Sequence, residues 1–342
     1  MTISAGSDIL ASDFISTSAG AADSGKAAKL NSDGKFDSSF INHGFGGTGA
    51  DGALSITSGT TNIDCAGARV VVKNYTSISI TGTGNLTFSN PHANGTVVIL
   101  KSQGGVTLTS SAAPMISVSA MGAIGGTAVT TTGSGGPTAG NNGTDGLTNQ
   151  QKSSLGGGAA TGSGGGGGAA SGYYFDTTLN ATLLKHPEAF VGAGGGSGLS
   201  NNSASGSGTS VSGRGGRGGG CLIIECAGAW NFTTTGGISV AGENGQNATT
   251  TSAVAGGGGG GSGGYLKVLY GSLTANSGTV NVAGGTGGNN DNNTGSVSWG
   301  GGGGGSPLGA GSNGTNSASD GAKTGGDGAT GLSFIGANVD FA

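Results

Sequence analysis

The chain has 342 residues, of which 83 are Gly, against about 7% in an average protein, while only 8% are charged and 5% aromatic. Gly costs roughly 1 kcal/mol at an interior helical position, which argues against long helices, and five Pro without a Gly-X-Y register exclude a collagen triple helix. Twelve Lys+Arg against 16 Asp+Glu give a net charge of −4, which argues against a nucleic-acid binder and is too small for disorder driven by charge.

At the N-terminus, residues 1–10 carry neither a basic nor a long apolar region, and no stretch approaches about 18 apolar residues. The expectation is no usual signal peptide and no membrane insertion. Ser7 or Asp8 would cap a short helix through Phe14. Lys26–Leu30 and Lys35–Asp37 flank Asn31-Ser32-Asp33-Gly34, which predicts a hairpin turn. The stretch 21–41 reads AADSGKAAKLNSDGKFDSSFI. It resembles the phrase AD.GK..KLN..GK.D.SFI that recurs near the N-termini of bacteriophage tail fibres and related virion proteins. That resemblance implies a particle-attachment region over residues 1–48, in contact with other virion tail proteins.

Residues 49–124 carry most of the apolar patterning, in short clusters at Ile56, Ile63, Val70–Val72, Ile78/Ile80, Leu86/Phe88, Val97–Leu100, Val106/Leu108 and Ile116/Val118. Spaced seven to ten residues apart between Gly, Asn and Ser, they predict a succession of short strands. A β-sandwich and a short β-solenoid both fit. A repeat then emerges over 95–122, 220–242 and 264–284. Each copy holds Gly, a strand, a Gly-containing turn and a final Ile-Ser-Val or Val-Asn-Val strand, and a glycine-rich stretch follows. Such repetition predicts stacked units that bury their faces on one another. Three cysteines (Cys65, Cys221, Cys226) cannot all pair within one chain and read as small buried apolar residues. Five apart in a strand, Cys221 and Cys226 face opposite sides.

The glycine tracts lie at 164–168, 192–198, 213–220, 256–264 and 300–305. One reading is flexible linkers. Their recurrence after each strand repeat favours extended glycine helices with three residues per turn, packed closely because no Cβ intervenes. Residues 125–342 resemble the polyglycine-II sandwich of phage tail-tip adhesins, and that resemblance implies a rigid block whose loops contact the host. The expected fold is therefore all-β: a short-strand sandwich or solenoid, then stacked strand repeats with packed polyglycine-II segments.

Catalytic patterns are weak throughout, and no enzyme or cofactor is expected. Gly20-Ala-Ala-Asp-Ser-Gly25-Lys26-Ala27 nearly matches a phosphate loop but lacks the Ser/Thr after Lys and a preceding strand. Gly260-Gly-Ser262-Gly-Gly264 satisfies G-x-S-x-G, but a glycine run stands where the nucleophile elbow needs an apolar strand. His43, His92 and His186 are isolated from other ligand types, so no metal site is expected. Asn289-Asn-Asp291-Asn-Asn293 reads as a solvated loop. In Gly213-Arg214-Gly-Gly-Arg217, the arginines read as forks that satisfy carbonyls at the edge of a glycine block.

For binding, Tyr173-Tyr174-Phe175-Asp176, continuing to His186 and Phe190, interrupts two glycine tracts with the densest aromatics in the chain. Tyr173, Tyr174, Phe175, His186 and Trp299 are the receptor-contact candidates; Trp230, inside the repeat, reads as packed. The expectation is a structural and adhesive virion protein of the tail, made in the host cytoplasm, that binds a host cell-surface glycan or protein. The resemblance to fibres implies a homo-oligomer, such as a trimer. A self-assembling extracellular filament subunit and a capsid decoration protein are the alternatives.

Overall fold

The computed structural model describes residues 14–15, 26–30, 45–133, 137–148, 151–154, 156–161, 166, 190–201, 208–233, 236–251, 254–292, 298–306, 309–317 and 319–338. Among these every regular element is a strand, so the fold is all-β. The predicted N-terminal helix is not formed at its end: Phe14–Ile15 pairs in parallel with Ala27–Ala28 instead. The remainder of that helix and the turn at 31–34 lie outside the described residues.

The strands of 53–124 and of the later repeats wind into one coil stack with three faces. The first face runs Ala53–Ile56, Ser77–Ile80, Val106–Leu108, then the C-terminal halves of Cys221–Phe232 and Tyr265–Asn276. The second runs Thr60–Asp64, Asn85–Ser89, Ile116–Ser117, Ile238–Ser239, Val280–Asn281. The third runs Val70–Tyr75, Val97–Ser102, the N-terminal halves of the two long strands, and Leu332–Ala337. All of these pairings are parallel, which selects the solenoid over the sandwich, whose neighbours would be antiparallel. Each sequence repeat is one coil, contributing one strand to each face.

Alternation decides what points inward. Ile78, Ile80, Leu86, Phe88, Val106, Leu108, Ile116, Trp230, Phe232 and Ile238 join one buried cluster inside the coils. Trp230 is fully buried, tilted against Phe232 with ring centroids 5.7 Å apart, and its Nε1 donates to Asn276 Oδ1 at 3.2 Å. The third face reads instead as continuous apolar runs, Val97–Leu100 and Cys221–Ile224, because it is covered on both sides. Val98, Leu100, Leu222 and Ile224 face inward, while Val97, Ile99, Cys221 and Ile223 pack outward against Phe190, Val191 and Tyr265. Cys221 and Cys226 fall in the outer and inner clusters respectively, and all three cysteines are buried and outside any disulfide. Beside this outer layer Glu225, 3% exposed, pairs with Lys101 at 2.9 Å and accepts Gly46 N–H at 3.2 Å, tying the entering chain to the stack.

The glycine-rich segments all leave from one corner, between the second and third faces. There residues 118–220, 240–264 and 282–331 each lead from a second-face strand to the third-face strand of the next coil. These excursions pack side by side as extended helices whose hydrogen bonds change direction with a period of three residues. In Gly256–Gly264, the amides of Gly258, Gly261 and Gly264 reach the carbonyls of Gln246, Glu243 and Val240. Those of Gly256, Gly259 and Ser262 reach Leu199, Gly196 and Ala193, and those of Gly260 and Gly263 reach Gly326 and Ala329. Its carbonyls accept from 213–219, 285–288 and 301–304. This helix therefore has six neighbours, at N···O distances of 2.8–3.1 Å. A Cβ on Gly258, Gly259 or Gly260 would lie about 2 Å from the carbonyl oxygen of Arg214, Gly302 or Gly285, three different neighbours. Only glycine fits on all three sides.

Toward the edge of the block the glycine requirement relaxes one side at a time. Gly213-Arg-Gly-Gly-Arg-Gly-Gly keeps two buried glycines in three, with Arg214 and Arg217 on the open side. Gly140-Asn-Asn-Gly-Thr-Asp and Gly242-Glu-Asn-Gly-Gln-Asn keep one in three. On those open sides, side-chain oxygens stand in for the missing carbonyls of a neighbouring helix. Asn142 Oδ1 accepts Ala159 N–H, Asp145 Oδ1 Gly156 N–H, Asn244 Oδ1 Thr286 N–H and Asn247 Oδ1 Asn289 N–H, at 2.8–2.9 Å. Asn and Asp at the non-glycine positions thus complete the lattice. Arg217 clamps the block to the coils, its Nε donating to Gly122 O and its Nη2 to His92 O, while its backbone N–H meets Glu243 Oε2. The carbonyl-satisfying role read for this arginine from sequence is what the structure places there.

Candidate functional site

Each helix of the block runs either away from the coil stack or back to it, so its turns fall into two groups. Gly264, Gly219 and Val240 mark the coil end, because the strands of the third face begin or the second face ends beside them. The opposite ends carry the described residues of five turns, 127–133 with 137–139, 199–201 with 208–212, 248–251 with 254–255, 289–292 with 298–299, and 315–317 with 319–323. At about 3.1 Å per residue, the nine residues from Val240 to Ala248 hold this tip roughly 25 Å from the stack.

The turns at the tip are braced by short antiparallel pairings. Thr209–Val211 lies between Thr130–Thr132 and Thr249–Thr250, and Val254–Ala255 lies between Ser200–Asn201 and Asp291–Asn292. Ser298–Trp299 pairs with Asn316–Ser317. The inward side chains of these strands are small polar groups with named partners. Ser200 Oγ donates to Ser210 O at 2.7 Å, Ser210 Oγ to Val254 O at 2.8 Å, and Thr131 Oγ1 to Thr138 Oγ1 at 2.9 Å. Asp291 Oδ2 accepts Thr250 N–H at 2.6 Å, joining two of the small sheets. β-propensity and local hydrogen bonding explain why Thr and Ser fill strands that have no apolar core beneath them.

Outward, the surface is hydroxyl and amide. Thr130, Thr132, Thr249, Thr251, Thr315 and Asn316 are exposed. Charge is sparse: the five turns contain Asp291, Asp320 and Lys323, and Lys323 pairs with Asp327. The exposed large apolar residues among those described, Phe14, Leu30, Ile124, Leu273 and Phe334, all lie elsewhere. Nor do three His, Cys, Asp or Glu come together anywhere among the described residues.

Of the receptor-contact candidates, Trp299 lies on the tip, half-buried, with the adjacent Ser298 turned inward. Tyr173, Tyr174, Phe175 and His186 lie outside the described residues. The far end of their segment is placed, however: Phe190 is 1% exposed and stacks at 5.3 Å on Tyr265 of the coil stack. That anchors the segment's end at the coil side of the block rather than at the tip. The tip threonines sit where glycine spacing lapses between an outgoing and a returning helix.

Burial, with Arg69 and Arg217 nearby, lowers the pKa of His92, whose Nδ1 accepts Asn94 N–H. Burial also pushes the Cys226 thiol up to about 11. Comparison with protein families, with characterised proteins and with solved structures gives no match.

Proposed function

We propose that this chain is a non-enzymatic attachment protein of a virion tail, a tail fibre or tail-tip adhesin. In this reading residues 1–48 join it to other tail proteins, the coil stack is the base, and the glycine block is a stiff spacer that offers the tip turns to a cell-surface receptor. The observation that carries it is the six-neighbour helix Gly256–Gly264, which turns glycine tracts into a rigid arm with a braced tip at its far end. Function in such proteins concentrates on loops held by a rigid scaffold. Assembly as a homo-oligomer, a trimer in the fibre resemblance, and synthesis in the host cytoplasm belong to the same proposal.

The test is electron microscopy of the native assembly with a small tag inserted between Asn201 and Gly208, whose flanks are on the tip. Label at the ends of tailed particles supports the proposal. Label repeating along continuous fibres refutes it, and label over a capsid shell moves the function from attachment to decoration. One observation favours the filament reading. The last coil pairs with no further strand among the described residues, and it leaves Leu273 54% and Phe334 50% exposed. Head-to-tail stacking of coils would cover both and grow without closing. Sedimentation of the purified chain at rising concentration checks this; a fixed small oligomer removes the filament.

A further inference from the structure

Along the third face the outer apolar layer gives way to a polar row. Val70, Val97, Cys221 and Tyr265 stand side by side, and Val72, Ile99, Ile223 and Lys267 form the next row. Two residues further along, the row reads Asn74–Lys101–Glu225–Leu269. Residues two apart on a strand share a face, so an amide, an amine and a carboxylate lie beside one another on three neighbouring strands.

The row is closed in. The side chain of Glu225 is 3% exposed and that of Lys101 13%. Lys101 Nζ lies 2.9 Å from Glu225 Oε2, the same oxygen that accepts Gly46 N–H at 3.2 Å. Gly47 lies over the other pair. A Cβ there would sit 2.4 Å from Asn74 Oδ1 and 3.1 Å from Lys101 Cδ, so those two atoms are at most 5.5 Å apart (2.4 + 3.1). Nζ is two bonds beyond Cδ, and rotation about the last side-chain bonds carries it from Glu225 toward the Asn74 carboxamide.

We propose that Lys101 and Asn74 join in an isopeptide bond, with Glu225 moving the protons. A buried ammonium–carboxylate pair has lost its hydration, which brings the neutral amine and acid within reach. Glu225 takes a proton from the Lys101 ammonium and leaves an amine, the activated form of a lysine nucleophile. Nζ attacks Asn74 Cγ, and the C=O electron pair moves onto Oδ1. Glu225 gives its proton to Asn74 Nδ2 and takes one from Nζ. The C=O re-forms as the Cγ–Nδ2 bond breaks, and ammonia leaves, carrying off the remaining proton of Glu225 as ammonium. One C–N bond forms and one breaks, nothing is oxidised or reduced, and no co-reactant enters. Holding both groups on paired strands makes the step unimolecular.

The bond staples the first coil to the second where the chain enters the stack. A pull through residues 1–48 would then peel the first coil no further than Asn74, where the load passes directly to Lys101. The inference goes beyond the attachment reading and stands without it.

The test is mass spectrometry of the full chain after denaturation and trypsin digestion. Lys73, Lys101 and Lys152 are successive cleavage sites. The bond blocks cleavage at Lys101, so residues 74–152 should appear as one peptide, lighter than its sequence by one ammonia, with fragments that join Asn74 to Lys101. Lys101→Arg keeps a cation beside Glu225 but forms no amide. It should give peptides 74–101 and 102–152 at full mass, with an unchanged circular dichroism spectrum. Asn74→Asp should lose water in place of ammonia. Glu225→Gln, shown by circular dichroism to be folded, should form the bond at least about a hundredfold more slowly after synthesis. If that variant does not fold, Lys101→Arg and Asn74→Asp decide. Cleavage at Lys101 in the parent chain, with both peptides at full mass, overturns the inference. Ammonia loss that persists in Lys101→Arg also overturns it, by assigning the loss to ring closure at Asn94-Gly95. Bond formation at the parent rate in folded Glu225→Gln refutes the proton transfer assigned to Glu225.

Discussion

Replacing Gly259 with Ala tests whether the glycine tract is a packed solid or a tolerant linker. The added Cβ would sit 2.1 Å from Gly302 O, 2.5 Å from Gly302 C and 2.9 Å from Gly301 O, all backbone atoms. Reaching 3.0 Å from Gly302 O requires a displacement of 0.9 Å (3.0 − 2.1) of one helix against the other. The bonds joining those helices, Gly301 N–H to Gly257 O and Gly304 N–H to Gly260 O, are 3.1 and 2.9 Å long. A shift of that size carries both out of hydrogen-bonding range. Each buried amide left unpaired costs about 1–3 kcal/mol, so Gly259→Ala should destabilise the block by about 2–6 kcal/mol. For a chain of 342 residues that corresponds to a fall in Tm of about 3–8 °C. Asn244→Ala is the matched control on an open side of the lattice. It removes the acceptor of Thr286 N–H, but water replaces it there, and the expected loss is about 0.5–1 kcal/mol. Thermal unfolding followed by circular dichroism reads both. Equal stability of Gly259→Ala and the parent protein would falsify the packed lattice and restore the flexible linker.

Three further outcomes follow from the same geometry. Amide hydrogens of Gly258–Gly261 should exchange as slowly as those of Cys221–Cys226, because both sets are buried in continuous ladders; exchange at the rate of free peptide would contradict the bonding described. Cys226, with its thiol raised to about 11 by burial, should resist alkylation at neutral pH until the protein is denatured, as should buried Cys65 and Cys221. His92, lowered from its ordinary value by burial and two arginines, stabilises the fold in its neutral form. That stability is present above the unfolded-state pKa near 6.5 and is lost as pH falls through the folded-state value. A nuclear magnetic resonance titration of His92 should find its midpoint below that of a free histidine, and a midpoint above it would contradict the sign.

Local order was legible in the chain wherever one residue's neighbours decide its direction. The alternation at Ile78-Ser79-Ile80 and Leu86-Thr87-Phe88 specified strands with one buried side, and both pairs of apolar residues do face the core. The repeat marked single coils correctly, because a coil is the smallest unit that offers a strand to each face. Sandwich and solenoid remained undecided because the choice depends on which strands pair, and pairing partners are far apart in sequence. Val97 meets Cys221 across a separation of 124 residues (221 − 97), with an entire excursion between them.

The tip was hidden for a different reason. Aromatic density drew attention to 173–190, whose last residue, Phe190, fills the outer apolar layer of the stack with Tyr265. Trp230, Phe232, Tyr265 and Phe190 are fully buried, where each aromatic stabilises more than it would on a polar surface. The turns at the tip are built from what remains, largely Thr, Ser and Asn. These residues carry no motif, but their position is written in the glycine spacing. Three glycines in three mark a helix enclosed on every side, two in three a face, one in three an edge, and none in three a turn. Direction alternates from one helix to the next, so successive lapses fall at opposite ends of the block, and those opposite the coils compose the tip. Read in this way, a tract that looks featureless encodes the number of neighbours of each helix and the location of the surface it presents.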